Sequence, residues 1–290
     1  MSTFLEPKVV ASNNHFIMEN VYKPTKTKYV NVDSRFQDEY ASNLKFTITF
    51  PEAIHNVKHI SVENMELPIQ FYNFSLSRLN TYFSVTDSNQ VVHPILIPEN
   101  NYTASTMCSA LNAAASAASI SITFSSISNR ISFTSQQNYL ISWAVDTTGS
   151  FDKFRFKSKL GWCLGFRQPQ YSIVANSSYT AEGPLQLNTI AYMYLVLDEF
   201  SSNYPNSFIV PLTKSYLSKS ILARISIDST LSSFGSISVF SKAHGNLLSD
   251  LRSYGGKTDI QKVQVQLVDE WGSQIDLNMD FSFSLRLDYE

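Results

Sequence analysis

The sequence predicts an all-β protein, a β-sandwich with few helices, and three observations carry that prediction. Apolar and polar residues alternate with a period of two over most of the chain, which is typical of half-buried strands. Phenylalanine (20 residues) and tyrosine (15 residues) are abundant, and both pack well against β-branched neighbours across strands. Only two segments favour a helix.

The alternating segments are short and are separated by prolines or polar turns. In the first half, the segments that end at Pro51 and Pro68 are the clearest, and two hairpins are predicted across residues 87–89 and 128–129. The predicted strands cover residues 44–50, 57–67, 82–85, 91–97, 120–124, 130–134, 140–145, 192–197, 208–211, 221–227, 236–240, 260–268 and 281–287.

Two helices are inserted among these strands. Residues 103–117 have an alanine-rich body, with Thr103 or Ser105 as N-cap. A second, shorter helix is predicted over residues 156–164 and ends at Gly165. Many short strands with two inserted helices favour a β-sandwich of the jelly-roll type.

The chain is expected to form one folded unit preceded by an arm. Residues 1–26 lack periodicity and contain Pro7 and Pro24, so they are interpreted as an extended N-terminal arm that orders on a neighbouring molecule. Residues 27–290 are interpreted as a single elaborated jelly roll, with a subdivision near residue 188 as the alternative. The roughly one hundred residues after that position are few for a second complete jelly roll.

Composition excludes several classes of function. The formal net charge is −2 and no basic stripe occurs, so nucleic-acid binding is not expected. No apolar run reaches the roughly 20 residues that a membrane helix needs, and no signal peptide is recognised. Charged residues make up only 16% of the chain. A polar but weakly charged surface is easier to desolvate against another subunit.

The residue types that carry catalysis do not form a recognisable constellation. His55 and His59 lack further metal ligands, and Cys108 and Cys163 are interpreted as free buried thiols. Acidic residues cluster at Asp33 and Asp38, 198–199, 269–270, and Asp276 with Asp280. Turn chemistry explains these clusters better than paired catalytic carboxylates do. We therefore expect no catalytic, cofactor-binding or metal-binding residue.

Four segments, taken in order along the chain, resemble minor capsid and penton-like proteins of the nucleocytoplasmic large DNA viruses. The segments are VNVDSRFQD at residues 30–38, IPENNYT at 97–103, LGWCLGFR at 160–167, and residues 259–283 with the sequence LVDEWG at their centre.

This resemblance implies a jelly-roll capsid component without catalytic activity or cofactor, located in the virion and made in the host cytoplasm. Its partners would be the major capsid protein and other minor capsid proteins. It would be an oligomer within the capsid lattice, a pentamer if it lies at a vertex. The sequence leaves the vertex and sub-facet positions open.

Within these segments, ten residues are predicted to have structural roles. An ion-paired turn of Asp33, Arg35 and Asp38 would fix where the arm enters the sandwich. Asn101 would supply a turn ahead of the first helix. The remaining six are Gly161 and Gly165, which would let the chain bend around a core formed by Trp162 and Phe166, and Asp276 and Asn278 of the closing hairpin.

Two other functions stay open from the sequence. A carbohydrate-binding spike or lectin would use exposed aromatic residues, for which Tyr204, Tyr254 and Trp271 are candidates. A hydrolase would use two of the clustered carboxylates.

Overall fold

The structure is a computed structural model, and it confirms the all-β prediction. It describes residues 6–12, 15–21, 24–39, 45–146, 151–200, 209–210, 212–213, 215, 217, 220–228 and 233–290. The strands are β1 Glu6–Ser12, β2 His15–Val21, β3 Lys26–Asp33, β4 Lys45–Pro68, β5 Tyr82–Thr86, β6 Val92–Leu96, β7 Ile122–Ile127, β8 Arg130–Ser135, β9 Tyr139–Ser142, β10 Gln170–Ile173, β11 Ser178–Thr180, β12 Tyr192–Asp198, β13 Ile221–Ser226, β14 Ile237–Ser241, β15 Leu247–Leu248, β16 Arg252–Val268 and β17 Ser282–Tyr289. The helices are α1 Ala104–Ala117 and α2 Leu160–Cys163, with 3-10 turns at Ser34–Phe36 and Lys153–Ser158.

The largest sheet is antiparallel and surrounds the first of the two main apolar cores among the described residues. Its strand order is β15-β13-β12-β16-β4-β17-β3, and β14 pairs with β4 beside this path. Fully buried side chains such as Ile60, Met65, Val263 and Phe283 fill the space inside the curled sheet. The closing strands predicted from alternation therefore lie in the middle of the sheet, since β16 lies between β12 and β4 and β17 lies between β4 and β3.

Strand β4 corrects one prediction. The sequence predicted two strands separated at Pro51, whereas β4 runs without interruption for 24 residues. Pro51 is exposed and lies between the pairs Thr49–Lys262 and Ile54–Ile260, where the register of the ladder shifts. A proline is tolerated at such an irregularity because the missing N–H leaves no regular ladder bond unmade.

Residues 72–188 form a second group of elements around their own core. Two sheets, of order β10-β9-β5-β6 and β11-β8-β7, share this core with α1 and α2. Both predicted hairpins are confirmed, and α1 begins at the predicted cap, where Thr103 and Thr106 form a capping box. Trp143 is fully buried and stacks on Phe166 with ring centroids 4.8 Å apart.

The chain leaves the first core near residue 72 and returns to it near residue 188. Whether residues 27–290 act as one unit or divide at that point stays a prediction, although the described apolar side chains do separate into two main clusters. The second predicted helix is replaced by the 3-10 turn and the short α2. Of the predicted strand 208–211, the ends lie outside the described residues, and 209–210 are not in a strand.

The N-terminal arm contains more regular structure than its sequence predicted. Strands β1 and β2 pair with each other from Glu6–Val21 to Ser12–His15. Among the described residues they form a separate two-stranded sheet. An isolated two-stranded hairpin is only marginally stable in water, so a partner surface for this hairpin remains the expectation.

Candidate assembly interface

The turn that follows β3 is the best-defined surface feature among the predicted site residues. The Asp33 carboxylate is 6% exposed and accepts hydrogen bonds from the Arg35 backbone N–H at 3.0 Å and from the Arg35 guanidinium at 2.6 Å. The predicted ion pair between Asp33 and Arg35 is therefore present. Asp38 takes a different role, because its carboxylate accepts from the backbone N–H of Thr49 at 2.8 Å and lies 3.6 Å from Lys262 Nζ.

The same turn is fixed to the rest of the sheet by its buried serine. The Ser34 hydroxyl donates to Asp280 at 2.7 Å and accepts from the Phe281 N–H at 3.1 Å. The Ser34 N–H also donates to the Phe281 carbonyl. The turn is thus fixed by the hydrogen bonds of Ser34 to residues 280–281 and by the ion pair of Asp33 with Arg35.

This rigid turn presents an apolar ring to solvent. Phe36 is 73% exposed, and the Arg35 guanidinium lies 5.9 Å from its ring centroid. Exposed aromatic and arginine side chains on a rigid frame lose little conformational entropy on binding, and these residue types dominate binding energy at protein interfaces. The turn of residues 33–38 is therefore a candidate protein-contact site.

We expect Asp33 to make stability depend on pH. The hydrogen bond from Arg35 lowers the pKa of Asp33 below its ordinary value despite partial burial. Its contribution is therefore fully present above about pH 4, the ordinary carboxyl pKa, and is lost as pH falls through the lowered folded-state pKa. Urea unfolding between about pH 5 and pH 2 should show a smaller loss for Asp33→Asn than for wild type. A control change at exposed Glu52, Glu52→Gln, should follow wild type, and equal slopes for Asp33→Asn would contradict the assignment.

Asn101 acts as a tether between the two groups of elements. Its side-chain oxygen accepts from the Asn73 N–H at 2.7 Å, and its Nδ2 donates to the Phe71 carbonyl at 3.3 Å. Asn73 in turn accepts from the Thr189 N–H at 2.9 Å, so both chain crossings are bonded together. The sequence predicted that Asn101 supplies a turn ahead of α1. The structure adds hydrogen bonds from Asn101 to residues about 30 positions earlier in the chain.

Gly161 and Gly165 are required for close packing rather than for bending alone. A Cβ atom at Gly161 would lie 2.4 Å from Trp143 Cβ and Cγ. Gly165 has a φ of +98°, and a Cβ there would lie 2.3 Å from the Gly183 carbonyl oxygen.

Gly161→Ala is expected to destabilise the protein by about 3 kcal/mol, because the fully buried Trp143 cannot move away. An exposed helical glycine changed to alanine would instead gain about 1 kcal/mol, so the sign of the change is diagnostic. Chemical denaturation measures the difference. The control is Gly255→Ala, where nothing lies within 4 Å of the added atom. A stabilised Gly161→Ala protein would show that the contact with Trp143 is wrong.

The structure corrects the prediction that Trp162 belongs to the core. Phe166 is fully buried, whereas Trp162 is only partly buried. The Arg167 guanidinium lies 4.2 Å from the Trp162 ring centroid, and Lys157 Nζ lies 5.4 Å from it. In a one-turn helix, adjacent side chains point in different directions, so Leu160 and Cys163 take the core positions and Trp162 lies at the margin.

The acidic clusters act as turn formers, in agreement with the interpretation from sequence. Asp276 accepts from the Asn278 N–H at 2.9 Å, and Asn278 adopts a left-handed conformation at φ +54°. Asp198 accepts from the Phe200 N–H at 2.9 Å in the same way. Asp269 accepts from the Trp271 and Ser273 N–H groups.

Two buried ion pairs were missed by the sequence analysis. Arg78 Nε donates to Asp269 at 3.0 Å, with side chains 5% and 2% exposed, and links the two cores. Arg252, with no exposed surface, donates to Glu199 at 2.8 Å. In each pair the two residues lie at least 53 positions apart in the sequence, so no local sequence pattern could reveal the pairing.

The carbohydrate candidates do not converge on one site. Tyr254 is 7% exposed, and its hydroxyl donates to Glu199 at 2.6 Å, so its ring is part of the core. Tyr204 lies outside the described residues, and Trp271 is partly buried beside the Arg78–Asp269 pair.

The part of the chain that the structure describes offers neither a metal cluster nor a membrane-spanning helix. In that part of the chain, no cluster of three or more His, Cys, Asp or Glu side chains could hold a metal ion. None of its helices is long and apolar enough to cross a membrane. Cys108 and Cys163 are both buried and free, and burial raises the pKa of the Cys163 thiol to about 11.

Comparison with known proteins gives one kind of match. No family model and no curated protein match the sequence. Among solved structures, the chain is similar to the selenomethionine-labelled mavirus penton protein, with 10% identity, a TM-score of 0.40, and coverage of 91% of this chain and 100% of that chain. A match of this quality carries no argument about family or function, so the function rests on the site and on the sequence segments.

Proposed function

We propose that the chain is a structural subunit of a virus capsid, a minor capsid or vertex protein that joins major capsid proteins in a large icosahedral DNA virus. The observation that carries the proposal is the turn of residues 33–38. This turn is locked by Asp33 and Ser34 yet presents Arg35 and Phe36 to solvent, and it lies within one of the segments that resemble capsid proteins.

A second observation supports a role in contacts between subunits. Between residues 100 and 145 the sequence has one charged residue, Arg130. On the outer face of the sheet built from this segment, the exposed side chains of Thr123, Thr134 and Ser178 lie side by side across three strands. Hydroxyl groups cost less to desolvate than unpaired ions, which suits a surface that becomes covered on assembly.

Particle composition tests the proposal. Quantitative mass spectrometry of gradient-purified particles should find the chain at a fixed ratio to the major capsid protein, and antibody labelling should place it on the particle. A chain that is abundant in infected cells but absent from particles would reject the proposal. In that case, binding on a glycan array would support the carbohydrate-binding alternative.

A further inference from the structure

The exposed ring of Phe36 has a complementary cavity on the same molecule. A cavity of about 240 Å³ lies where the two groups of elements meet. Its apolar lining consists of Ile69, Phe71, Ile190, Ile227 and Phe234, and three asparagines and one serine complete it. An apolar cavity of roughly 150 Å³ is large enough to bind benzene, so this one has room for a phenylalanine ring.

The cavity carries an exposed aromatic wall. Phe234 is 55% exposed and stacks on Tyr72, with ring centroids 5.8 Å apart and planes 18° apart. A ring that enters the cavity would cover the Phe234 surface that is now in contact with water. The gain is the usual one for burial of apolar area together with aromatic contact.

The Phe36 ring and the cavity lie at one end of the main sheet but on opposite edges. Asp33 pairs with Ser282, Ser282 pairs with Glu66, and Glu66 pairs with Val239, so β3, β17, β4 and β14 form one row. Among the described strands, β3 and β14 are the outer members of this row. Three strand spacings separate them by about 14 Å.

Each feature is attached directly to its own edge. The turn of Phe36 follows the last residue of β3. On the other edge, Ile69 follows Pro68, which pairs with Ile237 of β14, and Phe234 precedes that strand. Because the ring and the cavity lie on opposite edges, the Phe36 ring cannot fill the cavity of its own molecule. It can fill the cavity of a neighbouring molecule, and a row of molecules can repeat this contact.

From this geometry we infer that the chain associates head to tail with a second copy of itself, the Phe36 ring of one copy filling the cavity beside Phe234 of the next. This inference rests on the proposed structural function and names the contact between copies. A contact of this heterologous type forms a ring if the rotation closes and an open chain if it does not. The closed form would suit a vertex position.

Two variants and their mixture test the inference. Phe36→Asp removes the ring, and Ser233→Trp fills the cavity from an exposed position. Sedimentation of the full chain should show self-association weakened at least about thirty-fold in each variant, as for the loss of an interface hot spot. Mixed together, the two variants retain one intact ring and one intact cavity, so they should form a 1:1 complex that grows no further.

The matched control is Val92→Asp, which puts the same charge at an apolar residue that is 53% exposed and lies on β6, in a different sheet from both features. Circular dichroism should show that all variants are folded. Association unchanged by Phe36→Asp, or weakened equally by Val92→Asp, would overturn the inference.

A disulfide cross-link can detect the contact even if the wild-type protein is monomeric in dilute solution. Phe36→Cys mixed with Ser233→Cys should give an intermolecular disulfide on oxidation, whereas the two native cysteines are buried. Absence of this product at the highest attainable concentration would also overturn the inference.

If particles contain the chain but Phe36→Asp is incorporated as well as wild type, this contact is wrong and the proposed function stands. Absence of the chain from particles rejects the function instead.

Discussion

Deletion of every residue after Trp271 is expected to give an insoluble chain rather than a smaller folded protein. The deletion removes β17, which lies between β3 and β4. Phe283, Leu285 and Leu287 of this strand have no exposed surface. Each such side chain contributes roughly 1.5–3 kcal/mol by burial, so together they approach the roughly 5–15 kcal/mol net stability of a whole domain.

The deletion also leaves β3 and part of β4 without a hydrogen-bonded neighbour, which exposes two strand edges to aggregation. Solubility on expression and cooperative unfolding of any soluble fraction measure the outcome. The control is removal of residues 1–21, because the β1–β2 hairpin pairs with no other described strand and the remainder should stay folded. A soluble, cooperatively folded chain that ends at Trp271 would show that β17 is dispensable.

Arg78→Ala is expected to cost about 3–5 kcal/mol, the range measured when one partner of a buried ion pair is removed. The change leaves Asp269, which is 2% exposed, without its guanidinium. It also removes the donors to the Asn73 carbonyl at 2.8 Å and to Thr189 Oγ1. These contacts join the two cores, so their loss should also separate the unfolding of one core from that of the other.

Calorimetry measures both effects, as a lower melting temperature and as a second transition. Arg130→Ala is the matched control, because Arg130 is exposed on β8 and its removal should change stability by less than about 0.5 kcal/mol. A stability loss for Arg78→Ala as small as that of Arg130→Ala would show that the pair is not buried in solution.

Elements governed by local chemistry could be predicted from the sequence. Both hairpins and α1 are specified by residues within a few positions of one another, through alternation, turn formers and the Thr103 cap. The Asp33–Arg35 ion pair is equally local, since its members are two residues apart. In each of these cases the interacting groups are brought together by backbone geometry alone.

Other features depended on which distant segments came into contact. Pro51 ends a strand by local rules, yet β4 continues past it because β16 pairs on both sides of the irregularity. Both tryptophans lie in apolar stretches of the sequence, yet Trp143 is fully buried among aromatic rings, whereas Trp162 is only partly buried beside Arg167.

The candidate site shows the same division. The sequence by itself determined the all-β class, the ion pair of Asp33 with Arg35 and the resemblance that suggests a capsid role. Only the tertiary structure decided that Phe36 is exposed, that Arg78 meets Asp269 across 191 residues, and that a cavity lies on the opposite edge of the sheet. Burial and pairing between distant residues depend on the path of the whole chain, because each surface is covered or left open by segments that no local pattern specifies.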